Sequence, residues 1–202
     1  AGGDPQGMYQ NNKAASETFA AVGLAKHTVP MVEFQHDDGE TYVAMPFAKG
    51  YKNLIKPAGK MQYAADGISD NLASKVIALE AIIGTHDRHA GQYLYNPNKQ
   101  GDDKMKIIDF DYGYEGGQKI GYKSALMRAY TASDRSLDPQ ALKDIASKGN
   151  TFVDIANKYN VYDSDLLNRA ELVYNYAVEL EYGNVGTSVG DLDRYMRQYS
   201  YN

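Results

Sequence analysis

The stretch that most constrains this chain is SDNLASKVIALEAIIGTHDRH, residues 69–89. Its first part places apolar residues at 72, 76, 79, 82 and 83, which lie on one face of a helix. Ser69 or Asp70 can cap the start and Gly84 the end. The helix runs without a linker into Thr85, His86, Asp87, Arg88 and His89, so two of the 4 histidines flank an aspartate and an arginine. Such an ending admits three readings: a metal site, a phosphotransferase loop, or a buried polar cluster without chemistry.

The flanking sequence organises around that helix. Residues 1–12, rich in Gly and Asn, read as a loop. KAASETFAAVGLAKH, residues 13–27, reads as a helix ended by Thr28-Val29-Pro30, because proline removes a donor and pushes its predecessor to extended geometry. MVEFQ and TYVAMPF are β-type runs, and HDDGE between them carries the Asp-Gly signal of a hairpin. Downstream, QYLYN and KMKIIDF read as two strands joined by PNKQGDD. From about Lys123 the pattern is that of three or four helices. Asp138-Pro139 marks one start, and SDLLNRAELVYNYAVELEY carries an apolar stripe. No internal repeat or interdomain linker interrupts the chain. The expected fold class is α+β, a small β-containing part before a larger helical part, with any chemistry where the two meet.

Bulk properties remove several functions. The 202 residues suit one domain, or one with a small appendage. A net charge of −5 argues against a non-specific nucleic-acid binder, which needs a basic face. The absence of cysteine excludes disulfides and thiolate metal sites and leaves the redox compartment open. No apolar run approaches the roughly 18 residues that span a bilayer, and the first residues carry no signal-peptide pattern. The expectation is a soluble protein, cytoplasmic or delivered as an effector. The chain opens on Ala1 rather than Met, which reads as a processed form or an excised piece.

The strand pair that follows the His86–Gln92 loop ends in IIDFDYG, residues 107–113. Asp87 and Asp109 therefore close neighbouring elements with a short hairpin between them. Two carboxylates so placed suit metal-dependent phosphoryl transfer, one orienting an attacking hydroxyl and the other holding Mg²⁺ on nucleotide phosphates. Gln92, five positions after Asp87, offers a further oxygen. A metal-dependent phosphohydrolase is the rival, since His86-Asp87 is a His-Asp pair. Its further histidine is expected on a helix, yet His36 falls in the hairpin turn and His27 at a helix end. His86 and His89, spaced i and i+3, lack an evident third ligand.

THDRHAGQ followed by IIDFDYG resembles the catalytic and metal-binding loops of the atypical kinases, most closely the phosphoinositide-3/4-kinase-like and related bacterial kinase-fold proteins. On that resemblance Asp87 matches the catalytic aspartate and Asp109 the metal-binding aspartate. Gln92 matches the metal-binding asparagine, and Arg88 and His89 hold the loop. Glu17 resembles the regulatory-helix glutamate that pairs with an ATP-positioning lysine. YVAMPFAKG, residues 42–50, resembles the last small-lobe strand and hinge, with Met45, Pro46 and Phe47 lining an adenine slot. The implied cofactors are ATP and Mg²⁺ (or Mn²⁺), and the implied acceptor is a hydroxyl, preferably on a protein. Residues 1–50 would form a partial small lobe and hinge, and residues 51–202 a helical large lobe.

The chain departs from the family pattern at three points. Gln92 replaces Asn, Asp111 replaces the Gly of the Asp-Phe-Gly motif, and no Gly-rich hairpin or lysine-bearing strand precedes Glu17. The small lobe is then truncated, completed by another segment, or part of a degenerate kinase. A pseudokinase-like module that binds nucleotide or a partner without transfer is the third class.

Overall fold

The computed structural model describes residues 5–39, 41–53, 67–85, 88–110, 113–114, 124–161 and 163–199. Its architecture is α+β and mostly helical, with two small antiparallel sheets.

Helix α1 spans Pro5–Ala21, eight residues earlier than the sequence pattern placed it. The Asn-rich start is helical because Asn12 is buried and bound at both ends of its amide. Asn12 Nδ2 donates to the Met8 carbonyl (2.9 Å), and Asn12 Oδ1 accepts from Phe110 N (2.9 Å). A tertiary contact thus overrides weak local propensity. The helix also ends earlier than Pro30 would dictate, at a Gly closure. Gly23 adopts φ +78°, Gly23 N donates to Ala20 O, and Leu24 N to Phe19 O, while the buried Leu24 side chain seals the turn. A single 3₁₀ turn, Ala25–His27, follows.

Strands β1 (Val32–Gln35) and β2 (Thr41–Ala44) form the hairpin that Asp38-Gly39 signalled, with Val32 opposite Ala44 and Gly39 at φ +83°. Phe34 and Tyr42 stack across it at 5.9 Å, yet both remain about half exposed. The second sheet has the order β3-β4-β5: Lys52–Asn53, Tyr93–Tyr95 and Met105–Ile107, all antiparallel. Strand β3 carried no sequence signal. At two residues it is too short to alternate, and its pairing with β4 alone defines it. The segment after α1 borders β5 on its other side through a Thr28–Ile107 bridge.

Helix α2 (Asp70–Ile82) is the core element. Ser69 caps it by accepting from Leu72 N (3.0 Å). Its end is a Gly84 closure at φ +65°, in which Thr85 N donates to the Glu80 carbonyl (3.2 Å). The apolar stripe predicted one buried face, but burial runs around the helix from Leu72 to Ile82 save for Lys75. Helices α3 (Ala125–Ala132), α4 (Pro139–Ala146), α5 (Gly149–Lys158), α6 (Leu166–Glu181) and α7 (Val189–Tyr199) complete the described residues. Asp138 caps α4 by accepting from Ala141 N (3.1 Å), with Pro139 at its first position. α2 packs on α3, α4 and α6; α1 packs on α5, and α7 on α6 and α3. One hydrophobic cluster runs from Ala14 and Phe19 of α1 through α2 to Met196 of α7. Among the described residues, no helix is long and apolar enough to cross a membrane.

His27 pins the α1 exit to β5. Its Nδ1 faces the Met105 carbonyl (3.1 Å), which can only accept, so that nitrogen carries the proton. Burial pushes the imidazole below the ordinary histidine value and nearby Lys26 adds to this, while the Met105 hydrogen bond and Asp102 and Asp103 oppose it. A depressed value means that the unfolded state takes up the proton first, so His27 contributes stability at neutral pH that is lost on acidification. The denaturant midpoint is expected to fall as pH drops from about 7 to about 5. His27→Gln, which keeps an N–H for Met105, should flatten that fall; an identical pH profile would contradict the assignment.

Candidate active site

Two loops leave the β4-β5 hairpin at the same end. Gln92 immediately precedes β4 and Asp109 lies two residues beyond β5, and an Ile108 N to Gln92 O hydrogen bond (2.9 Å) extends the ladder between them. The strands thus bring the Arg88–Gln92 loop and the Asp109 loop together.

Arg88 locks the pair. It is buried, and its Nη1 donates to the carbonyls of Ile108 (2.9 Å) and Asp109 (2.6 Å). Its Nε donates to Glu80 Oε1 of α2 (3.2 Å), and the guanidinium lies over the Phe110 ring at 4.7 Å and the Tyr93 ring at 5.1 Å. Burial disfavours the charge, but Tyr93 and the Glu80 carboxylate more than offset that, holding Arg88 above its ordinary value. Asp109 sits in the left-handed region at φ +61°, a conformation that costs an L residue roughly 1–2 kcal/mol. Arg88 on its carbonyl and Asn12 on the next amide hold it there.

The side chains of Gln92 and Asp109 meet, with Gln92 Nε2 donating to Asp109 Oδ2 (3.3 Å). Gln92 is buried, and among the described residues the Oε1 of that amide has no hydrogen-bond partner, nor has Arg88 Nη2. A buried acceptor without a donor, next to a carboxylate, is chemically suited to a cation. Among the described residues no three His, Asp or Glu side chains gather as a metal cluster. Mg²⁺ is commonly held by one or two carboxylates together with substrate phosphates and water, and Asp109 with the Gln92 Oε1 offers two oxygens of that kind. The residues present therefore fit the ion that the sequence implied.

The other sequence-derived residues distribute as follows. His89 is exposed and its Nδ1 accepts from Gly91 N (3.0 Å), shaping the 3₁₀ turn Ala90–Gln92. Asp87, Asp111 and His86 lie outside the described residues. Met45 is half-buried, Pro46 is exposed and the Phe47 ring is 86% exposed. Among the described residues none of these three forms a hydrogen bond with Arg88, Gln92 or Asp109. Among the described residues Glu17 does not meet a strand lysine. Its carboxylate binds Lys158 Nζ (2.7 Å) and Tyr159 Oη (2.6 Å) of the α5 end, and those bonds lower its pKa. Glu17, Ala20, Thr151, Asp154, Ile155 and Lys158 border an open groove of about 430 Å³ between α1 and α5.

Four participants carried no assignment from the sequence: Asn12, which holds the Phe110 amide, and Glu80, Tyr93 and Ser124, which bond one another behind Arg88. The available signal was Glu80 itself, a carboxylate within VIALEAII where the helix pattern calls for an apolar side chain.

No protein-family model and no curated protein matches this chain. Among solved structures, the N-terminal 618-residue fragment of LepB from Legionella pneumophila is similar at a TM-score of 0.43 and 13% identity, covering 89% of this chain and 43% of that one. The chain thus spans less than half the length of that fragment.

Removing the guanidinium should leave the Glu80 carboxylate buried without its cation. Arg88→Met is expected to lower stability by roughly 3–5 kcal/mol, the usual consequence of breaking a buried pair from one side. Urea unfolding of the variant measures it, and a loss below about 1 kcal/mol, the scale of an exposed pair, would show that Arg88 does not hold the loops.

Proposed function

We propose that this chain is an ATP- and Mg²⁺-dependent phosphotransferase of the atypical kinase-like class, acting on a hydroxyl, preferably of a protein. The observation that carries the reading is the Arg88 bridge. It draws the segment following Asp87 onto the backbone of Asp109, and the Gln92 amide onto the Asp109 carboxylate. The two motifs that resemble catalytic and metal-binding loops are thereby neighbours in space as well as in sequence order.

On this reading residues 1–50 serve as a reduced small lobe and hinge, and residues 51–202 as the large lobe. Asp109 and Gln92 Oε1 would hold the divalent ion, with Asp111 adjoining. When bound, that ion neutralises phosphate charge. Asp87 would accept the proton of the attacking hydroxyl. Met45, Pro46 and Phe47 leave β2 with Phe47 exposed enough to meet an adenine face. The Glu17 carboxylate is held by Lys158 and Tyr159 at the α5 end, so pairing with an ATP-positioning lysine would require it to exchange partners. One observation favours a non-transferring nucleotide-binding module instead: among the described residues, Glu17 is engaged by a helical lysine and not a strand lysine.

Transfer from radiolabelled ATP to a mixed protein acceptor and to the chain itself tests the reading. Asp87→Ala and Asp109→Ala should each abolish Mg²⁺-dependent labelling, because catalysis of this type is positioning and charge neutralisation. Labelling that persists in both folded variants would refute the phosphotransferase assignment. Nucleotide binding without labelling of any acceptor would favour the module.

A further inference from the structure

Glu80 has no part in the chemistry above, yet it is the carboxylate buried in the middle of α2, at 2% exposure. Desolvating such a charge costs several kcal/mol unless good partners replace the water. Glu80 has three, from three separate segments. Oε1 accepts from Tyr93 Oη (2.6 Å) at the start of β4 and from Arg88 Nε (3.2 Å) in the loop. Oε2 accepts from Ser124 Oγ (2.9 Å), the residue that caps α3. Tyr93 Oη and Ser124 Oγ also stand 2.9 Å apart. Burial first, then the Glu80 charge, pushes the Tyr93 hydroxyl far above the ordinary phenol range, so it remains a donor. Arg88 O accepts from Ala125 N (2.7 Å), fastening the loop to the first turn of α3 a second time.

The consequence runs in one direction. With Nε fixed by Glu80, the orientation of the guanidinium plane is set, and Nη1 falls on the carbonyls of Ile108 and Asp109. We propose that Glu80 is the positioning residue of the site: through Arg88 it holds Asp109 in its left-handed conformation and so sets where the Asp109 carboxylate and the Gln92 oxygen stand. This rests on the cation-binding part of the function proposed above.

Glu80→Gln is the informative change, because it keeps the shape but presents an NH₂ to donors at one end. Two readouts are needed: Mn²⁺ titration by calorimetry, and amide exchange at Ile108 and Phe110, whose N–H groups bond to Gln92 O and Asn12 Oδ1. Mn²⁺ binding should weaken about tenfold or more, as for loss of a residue that orients a metal ligand. Exchange at Ile108 and Phe110 should accelerate while amides of α6 keep their protection. Unchanged Mn²⁺ affinity and unchanged local exchange in the folded variant would overturn the proposal, and so would a loss of protection spread equally over α6. If the unsubstituted chain does not bind Mn²⁺, the proposed function fails by itself, and local exchange alone then decides for or against positioning by Glu80. Should Glu80→Gln fail to fold, Tyr93→Phe, which removes one donor from Oε1, is read by the same two measurements.

Discussion

A carboxylate and a guanidinium enclosed between apolar elements leave a chain few ways to arrange itself around them, and Glu80 with Arg88 impose that restriction here. Both side chains are almost fully buried, so each must be surrounded by groups that replace water. Glu80 recruits β4 and the start of α3; Arg88 recruits the backbone beyond β5 and two aromatic rings. Three segments, β4, the start of α3 and the backbone beyond β5, are thereby registered to α2. A hydrophobic core alone would tolerate sliding among them, whereas directional bonds to a fixed charge do not.

The same loop is gripped from the opposite side by α1. Asn12 bonds the Phe110 amide, Phe19 packs on the Phe110 ring at 5.2 Å, and Thr18 bonds the buried Tyr114 hydroxyl. His27 and Thr28 then continue the contact along β5. Residues 108–110 therefore lie between two independent sets of restraints, one electrostatic from α2 and one mixed from α1. Holding a non-glycine residue at positive φ requires surroundings that over-determine it, and such sites concentrate where function needs a fixed side chain. The β1-β2 hairpin, by contrast, keeps its aromatic pair half exposed and contributes little to this core.

What the sequence disclosed followed from periodicity and from turn chemistry. The stripe at 72, 76, 79 and 82, the Asp38-Gly39 turn and the Asp138-Pro139 start each obey a local rule, and α2, the hairpin and α4 follow them. The first half of α1 did not, because its stability comes from Asn12 reaching a residue 98 positions away, which no window along the chain contains. Strand β3 was illegible for the same reason. At the site, THDRH announced a polar cluster at the end of α2, but not that its anchor would be Glu80, placed amid apolar neighbours as an apparent exception to the pattern. Local consistency tends to fail where a site is built, and Glu80 is where it fails here.

These restraints matter to function only if the surface they fix receives a ligand. The buried Gln92 oxygen beside the Asp109 carboxylate, without a hydrogen-bond partner among the described residues, is the feature with the most direct consequence, since an acceptor of that kind can be satisfied by a cation together with what the cation carries. Calorimetric titration of ATP in the presence of Mg²⁺, on the chain and on Asp109→Ala, tests this most directly. The account predicts saturable binding that requires Mg²⁺ and disappears in the folded variant. Binding that is unchanged in Asp109→Ala, or no binding to the unsubstituted chain, would contradict it.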